Sequence, residues 1–249
     1  MFAAILKEIR MKKIVVYLNL CLAVLLVTGQ SQEIAPGDSV PWEIRKQSLI
    51  YNAALSFNDP AVAKMALYNL IAENPGNPTL YDSLARLYHD YNEPVSAALV
   101  AQQAMALNPN DMYATEIAAE SFNKLGAKDK ALGFYEKLYL NGSNITVLYK
   151  MSFVQMELQR FAEANTSLDI VIGDPTSKEN TIIFPTIDQL GQEVSLDIAA
   201  HRVKAMIEEA KGNVEEAKVK YLKVLEMKPG FQVVQQQLRE LTKAQEGGE

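Results

Sequence analysis

Residues 78–109 read "PTLYDSLARLYHDYNEPVSAALVAQQAMALNP", and the second half of this stretch decides how the whole chain is read. Ala97, Ala101 and Ala104 stand at i, i+4 and i+7, which places them on one face of a helix. Pro109 ends that helix, because its nitrogen has no hydrogen to donate to the turn before it. Pro94 lies near the helix start, where a missing N–H costs little.

The same face recurs along the chain. Ala63, Ala97, Ala131, Ala164 and Ala217 are spaced 34, 34, 33 and 53 residues apart. Four residues after each stands Leu67, Ala101, Tyr135, Leu168 or Tyr221, and seven after each stands Leu70, Ala104, Leu138, Val171 or Val224. Twelve residues before each lies Tyr51, Ala85, Ala119, Ser152 or Ala205, mostly small. Pro75, Pro109 and Pro229 close three units, and Pro175 closes a fourth one position early. Self-similarity at a fixed period of this size is the mark of a stacked repeat array.

These residues resemble the tetratricopeptide repeat, a helix-turn-helix unit. In the stretch quoted above, Tyr81, Leu84, Ala85, Tyr88, Ala97, Ala104 and Pro109 fall on the signature positions. The physical basis is close packing: small residues at 85 and 97 let two antiparallel helices approach, and larger apolar side chains fill the seam. The resemblance implies an all-α, right-handed solenoid with five units, at about 44–77, 78–111, 112–144, 145–176 and 198–231. A further helix at about 232–245 carries Val233, Val234, Leu238 and Leu241 on one face and is expected to cap the last unit. Three units depart from the pattern. Tyr51 replaces a small residue, Asn141-Gly142-Ser143 replaces the closing proline, and Lys204 and Glu208 stand where apolar residues are expected.

The interval from Ala164 to Ala217 exceeds one period by 19 residues. Much of the excess is "NTIIFPTIDQLGQEVSLD", residues 180–197. Ile182 and Phe184 alternate with Ile183 and Pro185, and Val194 and Leu196 alternate with Glu193, Ser195 and Asp197. Period-two patterning on both sides of an Asp188–Gln192 turn predicts a short β-hairpin at about 180–196. Two strands alone are marginal in water, so the hairpin is expected to pack on the fourth or fifth unit.

The N-terminal segment follows different rules. Lys12 and Lys13 precede an apolar run from Ile14 to Val27, and small residues follow. That is the layout of a cleavable signal peptide over 1–29, and it is shorter than the roughly 20 residues of a membrane span. No stable membrane insertion is expected after cleavage, and the mature chain is expected in the periplasm of a Gram-negative-type envelope or outside the cell. Cys21 lies inside the run without the small residue a lipid-modified cysteine needs before it, so the mature chain would have no cysteine. Residues 30–43 read as a polar linker, with Trp42 expected to pack on the first helix pair.

Composition narrows the partner. The net charge is −6; without the first 29 residues, 20 basic groups face 29 acidic ones. Such a surface repels phosphate backbones, which disfavours nucleic acid. Phosphate-loop, nucleophile-elbow and zinc-protease motifs are missing from the sequence, and His89 and His201 stand in separate units. The chain reads as non-enzymatic, with no catalytic residues, metal or cofactor.

Binding is what the resemblance implies, in a concave groove lined by the first helix of each unit. The repeat frame places Arg45, Ser48 and Asn52 there from the first unit, and Thr79, Asp82, Arg86 and His89 from the second. Tyr113, Glu116 and Glu120 come from the third, and Tyr149, Phe153 and Met156 from the fourth. Asn52, Asp82, Arg86, Tyr113, Glu116, Tyr149, Phe153 and Met156 are the expected peptide-binding residues. One subset of the family clamps a C-terminal carboxylate with lysine, asparagine and arginine; only Asn52 matches that set, so such tails are disfavoured. The leading expectation is a scaffold binding another protein or a peptide in the groove. A structural subunit using the convex face or the hairpin edge is the alternative, and an enzyme or saccharide-binding site at the hairpin is the weakest.

Overall fold

The structure is a computed structural model in which residues 40–186 and 190–246 are described. The expected signal segment, the linker up to residue 39 and the centre of the hairpin turn (187–189) lie outside the described residues. The chain divides into Met1–Arg45 and Lys46–Glu249. Of the first unit, residues 40–45 are described. They open helix α1, with the Arg45 N–H donating to the Pro41 carbonyl at 3.1 Å. Trp42, expected to be packed, is 63% exposed because it sits in the first turn of α1.

The helices are α1 (Trp42–Ser56), α2 (Pro60–Glu73), α3 (Pro78–Asp90), α4 (Pro94–Leu107), α5 (Met112–Lys124), α6 (Lys128–Gly142), α7 (Ile145–Glu157), α8 (Phe161–Gly173), α9 (Leu196–Ala210), α10 (Val214–Met227) and α11 (Gln232–Glu246). A 3₁₀ turn (Pro175–Lys178) and two strands, β1 (Thr181–Phe184) and β2 (Gln192–Ser195), separate α8 from α9. In the second unit α3 packs on α4, α5 on α6, α7 on α8 and α9 on α10, and each of these pairs packs on the next.

Helix starts follow from local chemistry. The side chains of Asp59, Asn77, Asp111 and Asn144 accept hydrogen bonds from Val62, Thr79, Ala114 and Thr146 N–H groups, satisfying donors that the helix leaves open. Pro60, Pro78 and Pro94 occupy the first helical turn. Within each pair the chain reverses through one residue of positive φ: Asn58, Asn92, Gly126, Gln159 and Gly212. Each stands five positions before one of the repeating alanines. The following N–H reaches back five residues, from Asp59 to Ala54, Glu93 to Tyr88, Ala127 to Phe122, Arg160 to Gln155 and Asn213 to Glu208, at 2.8–3.0 Å. This is the Schellman closure, which occupies carbonyls at the helix end. Without its proline, α6 ends on Ser143, itself left-handed at φ 47°.

Packing repeats with the same period. Ala63, Ala97, Ala131, Ala164 and Ala217 are all 0% exposed, as are Ala85, Ala119, Ser152 and Ala205. Each alanine removes bulk so that helix axes can close, and the core is filled from Leu67, Leu84, Leu132, Leu148, Leu168 and Tyr221. The polar exceptions in the fifth unit are neutralised locally. Lys204 pairs with Asp169 of α8. Glu208 is buried and receives hydrogen bonds from Asn213 at 2.8 Å and Lys211 at 3.1 Å, with Lys220 at 3.6 Å. Burial alone would raise the Glu208 pKa; these donors and cations outweigh it, and the carboxyl is held below its ordinary value.

The insertion is an antiparallel hairpin with Ile182 opposite Val194 and Phe184 opposite Gln192. Phe184 and Val194 are buried against the core and anchor it. Gln192 adds a second anchor, donating to the Gly230 carbonyl at 2.8 Å and accepting from the Gln232 N–H at 3.2 Å. Leu196, expected in the second strand, instead opens α9. In its first turn the Asp197 carboxylate accepts from Ser195 Oγ at 2.5 Å and from the Ile198 N–H at 2.8 Å. Gly191 has φ +79°, and a Cβ on it would lie 2.6 Å from Ile183 Cγ2. Only glycine fits that turn.

Candidate functional site

The first helices of successive units are joined by polar contacts at one-repeat spacing. Tyr51 of α1 lies close enough to Arg86 of α3 to feel its charge, while burial raises the Tyr51 pKa. From α3, Arg86 Nη1 donates to the Tyr113 hydroxyl of α5 at 3.3 Å, and its Nε bonds Asp90 at 3.3 Å. His89 Nε2 lies 2.9 Å from Glu120 of α5. From α7, Lys150 bonds both Glu116 at 3.1 Å and Glu120 at 2.5 Å. Burial alone would lower the Lys150 pKa; its bonds to the two carboxylates outweigh that, and it is raised.

Asp82 and Asp111 form a second junction between α3 and α5. Burial, then the charge of Asp111 and the hydrogen bond between the two carboxyls, push the Asp82 pKa up to about 6. Asp111 caps α5 by accepting the Ala114 N–H at 3.0 Å.

Beyond Lys150 the polar row opens into a cleft of about 450 Å³. Tyr135 of α6, Tyr149 and Phe153 of α7 and Ile182 and Phe184 of β1 are its aromatic and apolar side chains, and Glu120, Lys124, Lys150 and Glu157 supply the charges. The Tyr149 and Phe153 rings meet edge to face at 5.1 Å. Tyr149 is 5% exposed, so it is floor rather than rim. Burial raises its pKa against the hydrogen bond and charge of Arg202. Arg202 also donates to Gln237 of α11 at 2.8 Å. Thus the hairpin neither seals the cleft nor stands clear of it. It forms one wall.

The expected residues divide accordingly. Asp82, Arg86, Tyr113 and Glu116 join the polar row, and Asn52 is exposed on α1. Tyr149 and Phe153 line the cleft, whereas Met156 packs at the core edge and is not among the lining residues. Sequence reasoning missed Lys150, although it stands 34 residues, one repeat, after Glu116. Opposite charges one period apart were the available signal. It also missed Lys124 and the placement of Ile182 and Phe184 in the wall.

Among the described residues no group of three or more His, Cys, Asp or Glu is placed to hold a metal ion. No helix among them is long and apolar enough to cross a membrane.

No protein-family model and no curated protein sequence matches the chain. Solved structures do match. A tetratricopeptide repeat protein from Parabacteroides merdae superposes with a TM-score of 0.65 at 16% identity, over 81% of this chain and 73% of that one. MamA gives 0.60 at 17% identity, over 74% of this chain and 91% of MamA. YrrB, described as a tetratricopeptide-repeat protein with an unusual peptide-binding site, gives 0.60 at 13% identity, over 76% and 88%. Repeating buried alanines, paired antiparallel helices and these superpositions agree: the chain has the tetratricopeptide-repeat fold.

Proposed function

We propose that the chain is a non-enzymatic scaffold of the bacterial cell envelope that binds a protein or peptide segment along the first-helix face, with the Phe153–Ile182–Phe184 cleft as its anchor pocket. The cleft carries this reading. It is large enough for an apolar side chain, its floor is aromatic, and its rim charges are mostly neutralised within the chain. Lys150 is held by Glu116 and Glu120, and Glu157 by Lys128 at 2.5 Å. Such a rim sets orientation while the apolar floor supplies affinity. YrrB, of the same fold, is described as having a peptide-binding site. The envelope assignment rests on the layout of residues 1–29 alone.

The test compares the full chain with its Phe153→Ala, Ile182→Ala double variant in affinity purification from envelope fractions. A partner recovered by the first and lost by the second supports the cleft, provided the two have equal thermal stability. Equal recovery removes it. Cell fractionation with N-terminal sequencing of the mature chain tests export, and a protein retaining residues 1–29 in the cytoplasm overturns that part.

A further inference from the structure

A second cleft, of about 460 Å³, lies away from the groove residues and is lined by Gln102, Phe122, Asp129, Lys130, Gly133, Phe134 and Lys137. Four of these, Lys130, Gly133, Phe134 and Lys137, follow i, i+3, i+4, i+7 and form one stripe of α6. The opposite stripe, Ala131, Leu132, Tyr135 and Leu138, is buried. Of the outward stripe, Gly133 is exposed and Phe134 is half-buried, packing in part on the core.

Three independent observations mark it. The Phe122 and Phe134 rings stack with centroids 5.6 Å apart and planes 8° from parallel, giving the cleft an aromatic floor. Neither lysine forms an ion pair among the described residues: Lys130 lies 5.3 Å from the centre of the Phe122 ring, and Lys137 bonds the Pro109 carbonyl at 2.6 Å. One acid, Asp129, also lines the cleft, so two cations face one anion there. Finally, a Cβ on Gly133 would meet no atom within 4 Å. Glycine inside a helix costs stability relative to alanine, and nothing in the packing of this chain requires it. What the glycine leaves is open floor between two cations.

We propose that this face docks an acidic amphipathic helix of another protein. An apolar side chain of that helix lies over Gly133 against Phe134, and a carboxylate on each side meets Lys130 and Lys137. The lysines are seven residues apart, about 10 Å along a helix, so the docked segment reads acidic-x-x-apolar-apolar-x-x-acidic. A strand covers that distance in about three residues, and an odd step puts the two carboxylates on opposite faces. Leu140, three residues after Lys137 on α6, and Leu99, three before Gln102 on α4, are 82% and 63% exposed.

A phage-displayed library of 20-residue peptides panned on the full chain and counter-panned on its Gly133→Leu variant tests the assignment. Clones lost on the variant should carry the acidic-flanked apolar pattern. A synthetic peptide of that pattern should bind the full chain at least tenfold more tightly than the Gly133→Leu or the Lys130→Glu, Lys137→Glu variant. Its affinity for the Phe153→Ala, Ile182→Ala variant should be unchanged, which separates this site from the groove. Gly133→Leu should melt at the same or a higher temperature, so loss of binding cannot be loss of fold. The proposal is overturned if no clone is sensitive to Gly133→Leu, or if the sensitive clones lack acidic flanks. Self-association in ultracentrifugation that Gly133→Leu abolishes would also overturn it, giving the face to a second copy of the chain.

Discussion

The guanidinium carbon of Arg202 lies 5.4 Å from the centre of the Phe184 ring, so a helix of the fifth unit holds the inserted hairpin by its aromatic anchor. The same side chain donates to Gln237 of the last helix at 2.8 Å, and its charge acts on Tyr149 of the fourth unit. Phe184 in turn meets Phe231 edge to face at 4.9 Å. One cation thus ties together α7, β1, α9 and α11.

Arg202→Ala is expected to lower unfolding stability by about 2–4 kcal/mol, the range for truncating a buried, hydrogen-bonded charged side chain. Amide exchange at Ile182 and Phe184 should rise more than at Leu67 or Ala97. Hydrogen exchange read by mass spectrometry measures both, and uniform loss of protection would contradict a hub centred on the hairpin.

Asp82 gives the chain a pH-dependent term. Its folded pKa, about 6, lies above the ordinary 3.8, so between those values the folded state holds more protons than the unfolded one. Stability from this group therefore falls as pH rises through that window and is lost above it. Asp82→Asn is expected to add about 1–2 kcal/mol at pH 7.5 and little at pH 4. Urea melts at the two pH values decide it.

Gln159 carries the left-handed turn between α7 and α8 at φ 58°. A side chain there costs about 1–2 kcal/mol, part of which glycine loses again through the greater freedom of its unfolded chain. Gln159→Gly should raise the stability by about 0.5–1 kcal/mol. An unchanged or lower melting temperature would show that the glutamine side chain makes a compensating contact.

Gly191→Ala should act in the opposite sense. The added methyl would press on Ile183 in a backbone region that alanine avoids, at an expected cost of about 1–3 kcal/mol. Circular dichroism should keep its helical signal while the amides of the hairpin lose protection.

How much of this was legible in the sequence depends on the range over which each signal acts. The repeating alanines were legible because a helix pair closes only where bulk is missing, and that demand recurs every period. The hairpin was legible from alternation, but the start of α9 was misplaced. Leu196 continues the alternating pattern although it is already the first residue of the helix. The polar half of the site, Asp82, Arg86, Tyr113 and Glu116, came from the repeat frame. Its cleft did not, since Ile182 and Phe184 reach Phe153 across an insertion that obeys no period. Met156 shares a helical stripe with Phe153, yet the packing at the end of α7 turns it to the core edge.

The inserted hairpin leaves α8 and α9 in contact, so the stack continues beneath it as though the 19 extra residues were absent. One wall of the cleft is therefore carried by a segment whose sequence the stacking rules do not constrain. The floor, Tyr149 and Phe153, belongs to the scaffold; in the wall Phe184 and Val194 are fixed by the core, while exposed positions such as Ile183 can change with the alanine ladder untouched. In a lineage of such arrays, recognition can evolve at a rate decoupled from that of the fold that supports it.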